Sequence, residues 1–182
     1  KLDKKSTRRS LQPEELERLR DACTTYKEKA LLEFLVSSGC RLSEATGIRL
    51  TGIDFINRSV KVLGKGQKER TVYFSVRAKY MIEEYIATRK PSDALFSSHR
   101  RPHGAMGERA IQMALAKIGK HAKIYVHPHL LRHTFATNAL NAGMDIIIIQ
   151  ELLGHEDVST TQIYATISRE AVRYAYEKYI AA

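Results

Sequence analysis

Four short stretches of the sequence hold side chains whose types and spacing could do chemistry. Arg41 stands in Gly39-Cys40-Arg41-Leu42-Ser43-Glu44-Ala45, directly after an apolar run and a glycine. A guanidinium at the edge of a core needs an anion. Glu44, three residues on, can be that anion in a plain structural salt bridge. The second stretch, Gly64-Lys65-Gly66-Gln67-Lys68-Glu69-Arg70, lacks the spacing of a P-loop and the helix that would follow one, which disfavours nucleotide binding. A lysine at such a tip is either solvated or reaches into a groove of DNA, where glycines let the backbone approach closely. In the third, His127-Pro128-His129-Leu130-Leu131-Arg132-His133, His129 and Arg132 are three apart and share one helix face near its N-terminus. His129 and His133 have metal-pair spacing. However, no Cys lies near them and no Glu follows His129, so no metal site is expected and His133 should pack or cap. The fourth stretch runs from Leu152-Leu153-Gly154-His155 to Thr161-Gln162-Ile163-Tyr164. Taken alone it reads as a helix-turn-helix, with Tyr164 in the core or at a phosphate.

These residues need elements to hold them. Residues 1–10 are polar and basic without periodicity, as in a linker or arm. Pro13 suits a first helical position, Glu14 and Glu15 suit a helix N-terminus, and Leu16, Leu19 and Cys23 continue at helical spacing. A heavily apolar helix is expected over about 27–38, with Gly39 as its C-cap. Ser43 with Glu44 can start a short third helix. Strands are expected at 53–55, 60–63 and 70–74, the last two forming a hairpin because Val60, Val62, Val72 and Phe74 alternate. Further helices are expected at about 76–89, 107–121, 129–142, 145–153, 158–166 and 169–180, with Pro91, Pro102 and Pro128 marking breaks. The expected fold is mainly α with a small antiparallel β-sheet (α+β).

Charge and composition bound the partners. The 182 residues carry 30 Lys+Arg against 20 Asp+Glu, a formal charge of +10, with hydrophobic residues at 43% and charged residues at 27%. That is a globular composition with a basic bias, which favours a polyanion as partner. The positive charge gathers in residues 1–10, 58–79 and 99–123, whereas 141–160 contains four acidic residues and no Lys or Arg. No apolar run approaches membrane-spanning length. The two cysteines, Cys23 and Cys40, make no disulfide framework, so a reducing cytoplasm is the expected location.

In this order, the four stretches resemble the catalytic domain of the tyrosine recombinases, the family of phage integrases, Xer recombinases and conjugative-transposon integrases. The likeness runs from about Leu11 to the C-terminal helix. It is strongest over 127–164, in Pro-His-Leu-Leu-Arg-His-Thr-Phe-Ala-Thr and Leu-Leu-Gly-His followed by Ser-Thr-Thr-Gln-Ile-Tyr. The resemblance implies a catalytic set of Arg41, Lys65, His129, Arg132, His155 and the nucleophile Tyr164, with Glu44 orienting Arg41. It implies attack on a DNA phosphodiester to give a 3′-phosphotyrosyl bond and a free 5′-hydroxyl, later reversed by another strand. The residue types suit that demand. Guanidinium groups fork onto phosphate oxygens and stabilise the charge that builds in the transition state, taking the role of a metal ion. Lys65 is the implied general acid for the leaving 5′-oxygen, and His129 handles a proton near the nucleophile. No metal, ATP or other cofactor is expected.

The resemblance further implies that residues 11–182 are the catalytic domain, that residues 1–10 link it to a DNA-clamping N-terminal core-binding domain absent here, and that the chain, opening on Lys rather than Met, is part of something longer. Lys61, Lys68, Arg70, Arg100 and Arg101 are expected DNA contacts. The partners implied are double-stranded DNA and further copies of the protein, a tetramer on DNA joined through the C-terminal helix at 169–182; that helix could instead pack on its own domain. Two other readings stay open at this point: a non-catalytic helix-turn-helix DNA-binding module, and DNA relaxation of the type IB topoisomerase kind.

Overall fold

In the computed structural model the described residues are 10–64, 69–99, 102–154 and 169–180. The helices are α1 (Pro13–Asp21), α2 (Tyr26–Ser38), α3 (Leu42–Thr46), α4 (Val76–Thr88), α5 (Glu108–Ala122), α6 (Pro128–Asn141), α7 (Ile146–Leu153) and α8 (Arg169–Tyr179). A 3-10 turn, Leu50–Gly52, precedes the strands β1 (Ile53–Asp54), β2 (Ser59–Leu63) and β3 (Glu69–Tyr73). The mainly α architecture with one small antiparallel sheet agrees with the sequence pattern. The expected helix at 158–166 lies outside the described residues.

Local chemistry sets the helix ends. Pro13 opens α1, where Gln12 and Glu15 form a capping box. Thr25 and Glu28 form another at the start of α2, and Gly39 closes α2 in the left-handed region at φ +59°. The third helix begins one residue earlier than Ser43 suggests. Arg41 is its N-cap, because the Glu44 carboxylate accepts the Arg41 backbone N–H at 2.7 Å. Likewise α6 begins at Pro128 with His127 as N-cap, its Nδ1 accepting from Leu130 N–H at 3.3 Å. His127 is therefore the capping histidine. His133, expected to pack or cap, is exposed, because Leu131, Thr134 and Phe135 hold the inward face of that turn.

The central element is α2, which packs against α4 and α6 and buries Ala30, Leu31, Leu32, Phe34 and Leu35. Phe34 meets Phe74 and Phe96, each at 5.9 Å between ring centroids. The sheet runs in the order β1-β2-β3, with Val60 paired to Val72 and Val62 to Arg70. Its buried valines face this core, as the alternation requires. The core also takes in Leu11, whose backbone N–H donates to Thr134 Oγ1 at 2.9 Å.

A second cluster joins α6, α7 and α8 through Phe135, Ala139, Ile149, Leu152, Leu153, Val172 and Tyr176. Of the two readings of the C-terminal helix, the structure displays packing on its own domain. Tyr176 is 1% exposed, lies 5.5 Å from the Tyr73 ring and donates to the Ser37 carbonyl at 2.8 Å. Polar contacts add to this, from Arg173 to Asn57 at 2.9 Å and from Arg58 to Glu177 at 3.6 Å. Among the described residues no helix is long and apolar enough to cross a membrane.

Candidate active site

Five chain segments meet where α2 and α7 end. The last carbonyls of a helix lack intrahelical partners and carry its negative dipole end, so cations suit them. Three arginines take three successive carbonyls at the end of α7. Arg70, from β3, donates to Leu152 O. Arg132, from α6, donates to Leu153 O at 2.6 Å, and Arg41, the N-cap of α3, donates to Gly154 O at 2.6 Å. Arg132 also donates to the carbonyl of Gly39 at 2.6 Å, so one guanidinium ties the C-terminal ends of α2 and α7 together.

Among the described residues, a single carboxylate sits among these cations. Glu44 accepts from Arg41 Nη1 at 3.1 Å and from Arg70 Nε and Nη2 at 3.1 and 2.7 Å. Its side chain is 1% exposed, against 11% for Arg70 and 32% for Arg41. The charges therefore form a graded stack. Glu44 is innermost, Arg70 covers it, and Arg41 reaches the surface. Among the described residues, three guanidinium groups against one carboxylate leave a net double positive charge.

The electrostatics follow from that arrangement. Burial works against ionising Glu44. The Arg70 hydrogen bonds and charge, with those from Arg41, overcome it and hold the carboxyl at about 2. Burial lowers the Arg132 guanidinium, and the positive charges of Arg41 and Arg70 lower it further, to about 10. Arg132 makes no hydrogen bond to a carboxylate among the described residues, although Glu44 partly offsets its neighbours through space. Burial also pushes the Cys40 thiol, 3.5 Å from Glu44, well up, so it stays neutral.

The expected site residues can now be placed. Arg41, Glu44 and Arg132 come together from positions 41, 44 and 132. His129 is exposed in the first turn of α6, one turn before Arg132, with its ring 6.5 Å from that of His127. Burial, and then the neighbouring His129, hold the His127 imidazole below its ordinary value. Lys65, His155 and Tyr164, and the expected DNA contacts Lys68, Arg100 and Arg101, lie outside the described residues. Lys61 is exposed on β2, 3.8 Å from Glu69 across the hairpin. Arg70 corrects the sequence reading. It was expected on a DNA-facing surface, yet all three of its donor nitrogens are engaged inward, on Glu44 and Leu152.

Glycine is required at the junction. Gly39 has φ +59°, and a β-carbon there would lie 2.6 Å from Phe135 Cδ1 and 2.9 Å from Leu153 Cδ2. The Gly39→Ala substitution is expected to cost about 2–4 kcal/mol, combining left-handed strain with overpacking. Urea unfolding should show it as a lower midpoint at unchanged slope. An unchanged midpoint would mean that the ends of α2 and α7 are not packed as described.

A pair of half-buried guanidinium groups over a helix end can hold an oxyanion. Each carries five N–H donors, of which the described contacts occupy two on Arg41 and two on Arg132. A cleft of about 1070 Å³ beside Arg20, Glu33 and Arg77 is lined by none of these arginines.

Comparison with known proteins agrees with this geometry. The model of the phage integrase family matches residues 9–171. The tyrosine recombinase XerC of Oceanobacillus iheyensis is 42% identical over 161 residues, which cover 84% of this chain and 53% of the relative. The chain thus spans about half the length of that relative. Among solved structures, XerA recombinase is 30% identical with a TM-score of 0.73, over 93% of this chain and 64% of that one. The integrase from mycobacterium phage Brujita, at 22% identity, shares the fold with a TM-score of 0.77, over 97% and 60% of the two chains. A family match across most of the sequence, and a fold that brings distant arginines to one helix end, lead to one conclusion: the chain belongs to the phage integrase family, the tyrosine recombinases.

Proposed function

We propose that the protein is a site-specific DNA recombinase that breaks and rejoins DNA through a 3′-phosphotyrosyl intermediate. The observation that carries this reading is the pairing of Arg41 and Arg132 over the end of α7, with Glu44 as their counter-charge among the described residues. A phosphodiester would supply an anion where Arg132 has no carboxylate hydrogen bond among the described residues. Its two non-bridging oxygens match two guanidinium forks, and the extra charge of the pentacoordinate transition state binds them more tightly still.

The step proceeds as follows. The Tyr164 phenolic oxygen attacks phosphorus while its proton leaves, with His129 placed on the neighbouring turn to handle a proton. A bond forms from phosphorus to the tyrosyl oxygen, and the bond to the 5′-oxygen breaks. Lys65 protonates that oxygen as it leaves, and His155 adds a donor to the non-bridging oxygens. The 5′-hydroxyl of another strand then reverses the step. One phosphodiester is exchanged for another ester of similar energy, so the residues need no nucleotide cofactor. Glu44 orients Arg41.

Residues 11–182 act as the catalytic domain and residues 1–10 as its basic lead-in. Lys61, Lys68, Arg100 and Arg101 grip backbone phosphates without reading sequence. Exchange between two duplexes breaks four strands, and each break uses one tyrosine, so four copies act together on DNA.

The test is a nicked duplex whose cleavage releases a short fragment and so traps the intermediate. In EDTA the protein should form a denaturation-resistant adduct, and peptide mapping should place the DNA on Tyr164. An adduct that requires a divalent metal, or that links the 5′-phosphate, overturns the proposal.

A further inference from the structure

We propose that Arg70 is a positioning residue of this site, fixing Glu44 and the last turn of α7 so that Arg41 and Arg132 stand as a paired cation. The inference rests on the recombinase reading above and adds a residue to its machinery.

Arg70 is poorly placed to meet substrate. Its side chain is 11% exposed, and Nε, Nη1 and Nη2 are all engaged. Its contacts are with the two groups that set the orientation of Arg41. Glu44 receives two of its hydrogen bonds, a fork on a carboxylate, which is the geometry that fixes angle as well as distance. Glu44 in turn holds Arg41 by its backbone N–H at 2.7 Å and by Nη1 at 3.1 Å. The third donor of Arg70 goes to Leu152 O, beside the Leu153 and Gly154 carbonyls that hold Arg132 and Arg41. Gly154 makes this possible. A β-carbon there would lie 2.7 Å from Arg70 Cδ and 3.0 Å from Arg70 Nε. One strand residue thus braces both supports of the catalytic pair.

The electrostatic consequence concerns Glu44. The charged and titratable groups around it are Arg41 and Cys40 at the start of α3, Arg70 on β3 and Arg132 on α6. Burial favours the neutral acid, and Arg70 is the strongest of the influences opposing it. Without Arg70 the carboxyl titrates at higher pH. As pH falls it takes up a proton, loses the charge that strengthens its hold on Arg41 Nη1, and the arginine pair loses its alignment. The sign is fixed: the loss comes from the acid side and begins at higher pH than in the unaltered protein.

The experiment measures adduct formation at saturating nicked duplex across the pH range for Arg70→Gln, Arg70→Lys, Glu44→Gln and the Arg70→Gln, Glu44→Gln double variant. Arg70→Gln is expected to slow adduct formation about tenfold or more, with duplex affinity little changed and the acid limb of the profile moved up in pH. Arg70→Lys, which restores charge without the fork, should return the acid limb and recover part of the rate. In the Glu44→Gln background, Arg70→Gln should add little, because its route through Glu44 is gone. A loss equal at every pH, no recovery with Lys, or full additivity in the double variant would overturn the inference and leave Arg70 as ordinary packing. If the unaltered protein itself forms no adduct, the recombinase reading fails and this inference fails with it. A normal unaltered protein with an indifferent Arg70→Gln overturns this inference alone.

Discussion

The Tyr164→Phe protein is expected to form no denaturation-resistant adduct on nicked DNA, while its affinity for intact duplex should stay close to that of the unaltered protein. Phenylalanine keeps the ring and removes the one atom that becomes bonded to phosphorus, so the loss is complete rather than graded. The chain has nine tyrosines, and the fold separates them. Tyr176 is sealed in the second core with its hydroxyl on the Ser37 carbonyl, and burial pushes its phenol far up. Tyr85 is buried against Ser97, its hydroxyl 3.1 Å from Ser97 Oγ. Tyr73 packs on Tyr176. Among the described residues, Tyr26, Tyr80, Tyr125, Tyr174 and Tyr179 make no hydrogen bond to Arg41, Arg70 or Arg132. Tyr26 begins α2, at the opposite end from Gly39 and about 20 Å from it at the helical rise.

Tyr164 follows ten residues after Gly154, the point at which Arg41 grips the chain. It is thus tethered to the helix end that the arginines cap. Its ordinary phenol would be ionised in only about one molecule in a thousand at neutral pH. If the proposal holds, a phenol brought beside these arginines would be shifted toward the phenolate, so groups proposed to hold the phosphate would also favour the nucleophile. A residual adduct in Tyr164→Phe, carried on another tyrosine, would sink the assignment.

Much of this arrangement was legible in the sequence, and what was not legible has a common physical cause. The helix limits fall within a residue or two of expectation because the caps are chemical: Pro13, Thr25 with Glu28, Gly39 and Gly154 each satisfy or free specific backbone groups. The hairpin was visible because Val60, Val62 and Val72 alternate toward a core. The partners of the arginines were not visible, because they are the carbonyls of Gly39, Leu152, Leu153 and Gly154, and every residue carries a carbonyl. Only the meeting of two helix ends makes those four special. Arg70 was misplaced for the same reason. In sequence it belongs to a basic run that looks like a solvated face. In space its strand delivers it to Glu44, 26 positions earlier in the chain. The motif residues, by contrast, were named through their likeness to a family pattern, and phosphate chemistry is consistent with those residue types.

The second large effect is expected at Arg132, where activity and stability should part company. Arg132→Gln should slow adduct formation by about 100-fold or more, the usual result of removing one donor aimed at a transition-state oxyanion. A structural arginine of similar burial would also take the fold down with it. Here two opposing contributions nearly balance. Glutamine gives up hydrogen bonds to Gly39 O and Leu153 O, each about 1–3 kcal/mol if the carbonyl is left bare. It also removes a half-buried cation that burial, and then the charges of Arg41 and Arg70, hold at about 10, below its ordinary value. A lowered value for a cation means that the folded state resists the charge at neutral pH, and that folding gains stability as pH rises from about 10 toward the unfolded value. The thermal midpoint of Arg132→Gln at neutral pH should therefore lie near that of the unaltered protein. Inorganic phosphate provides the sharper readout. It should raise the midpoint of the unaltered protein by mass action, because it supplies the missing anion, and should raise that of Arg132→Gln much less. If Arg132→Gln collapses the midpoint as a core truncation would, or if phosphate stabilises both proteins equally, Arg132 is a strut of the fold and not a cation reserved for the scissile phosphate.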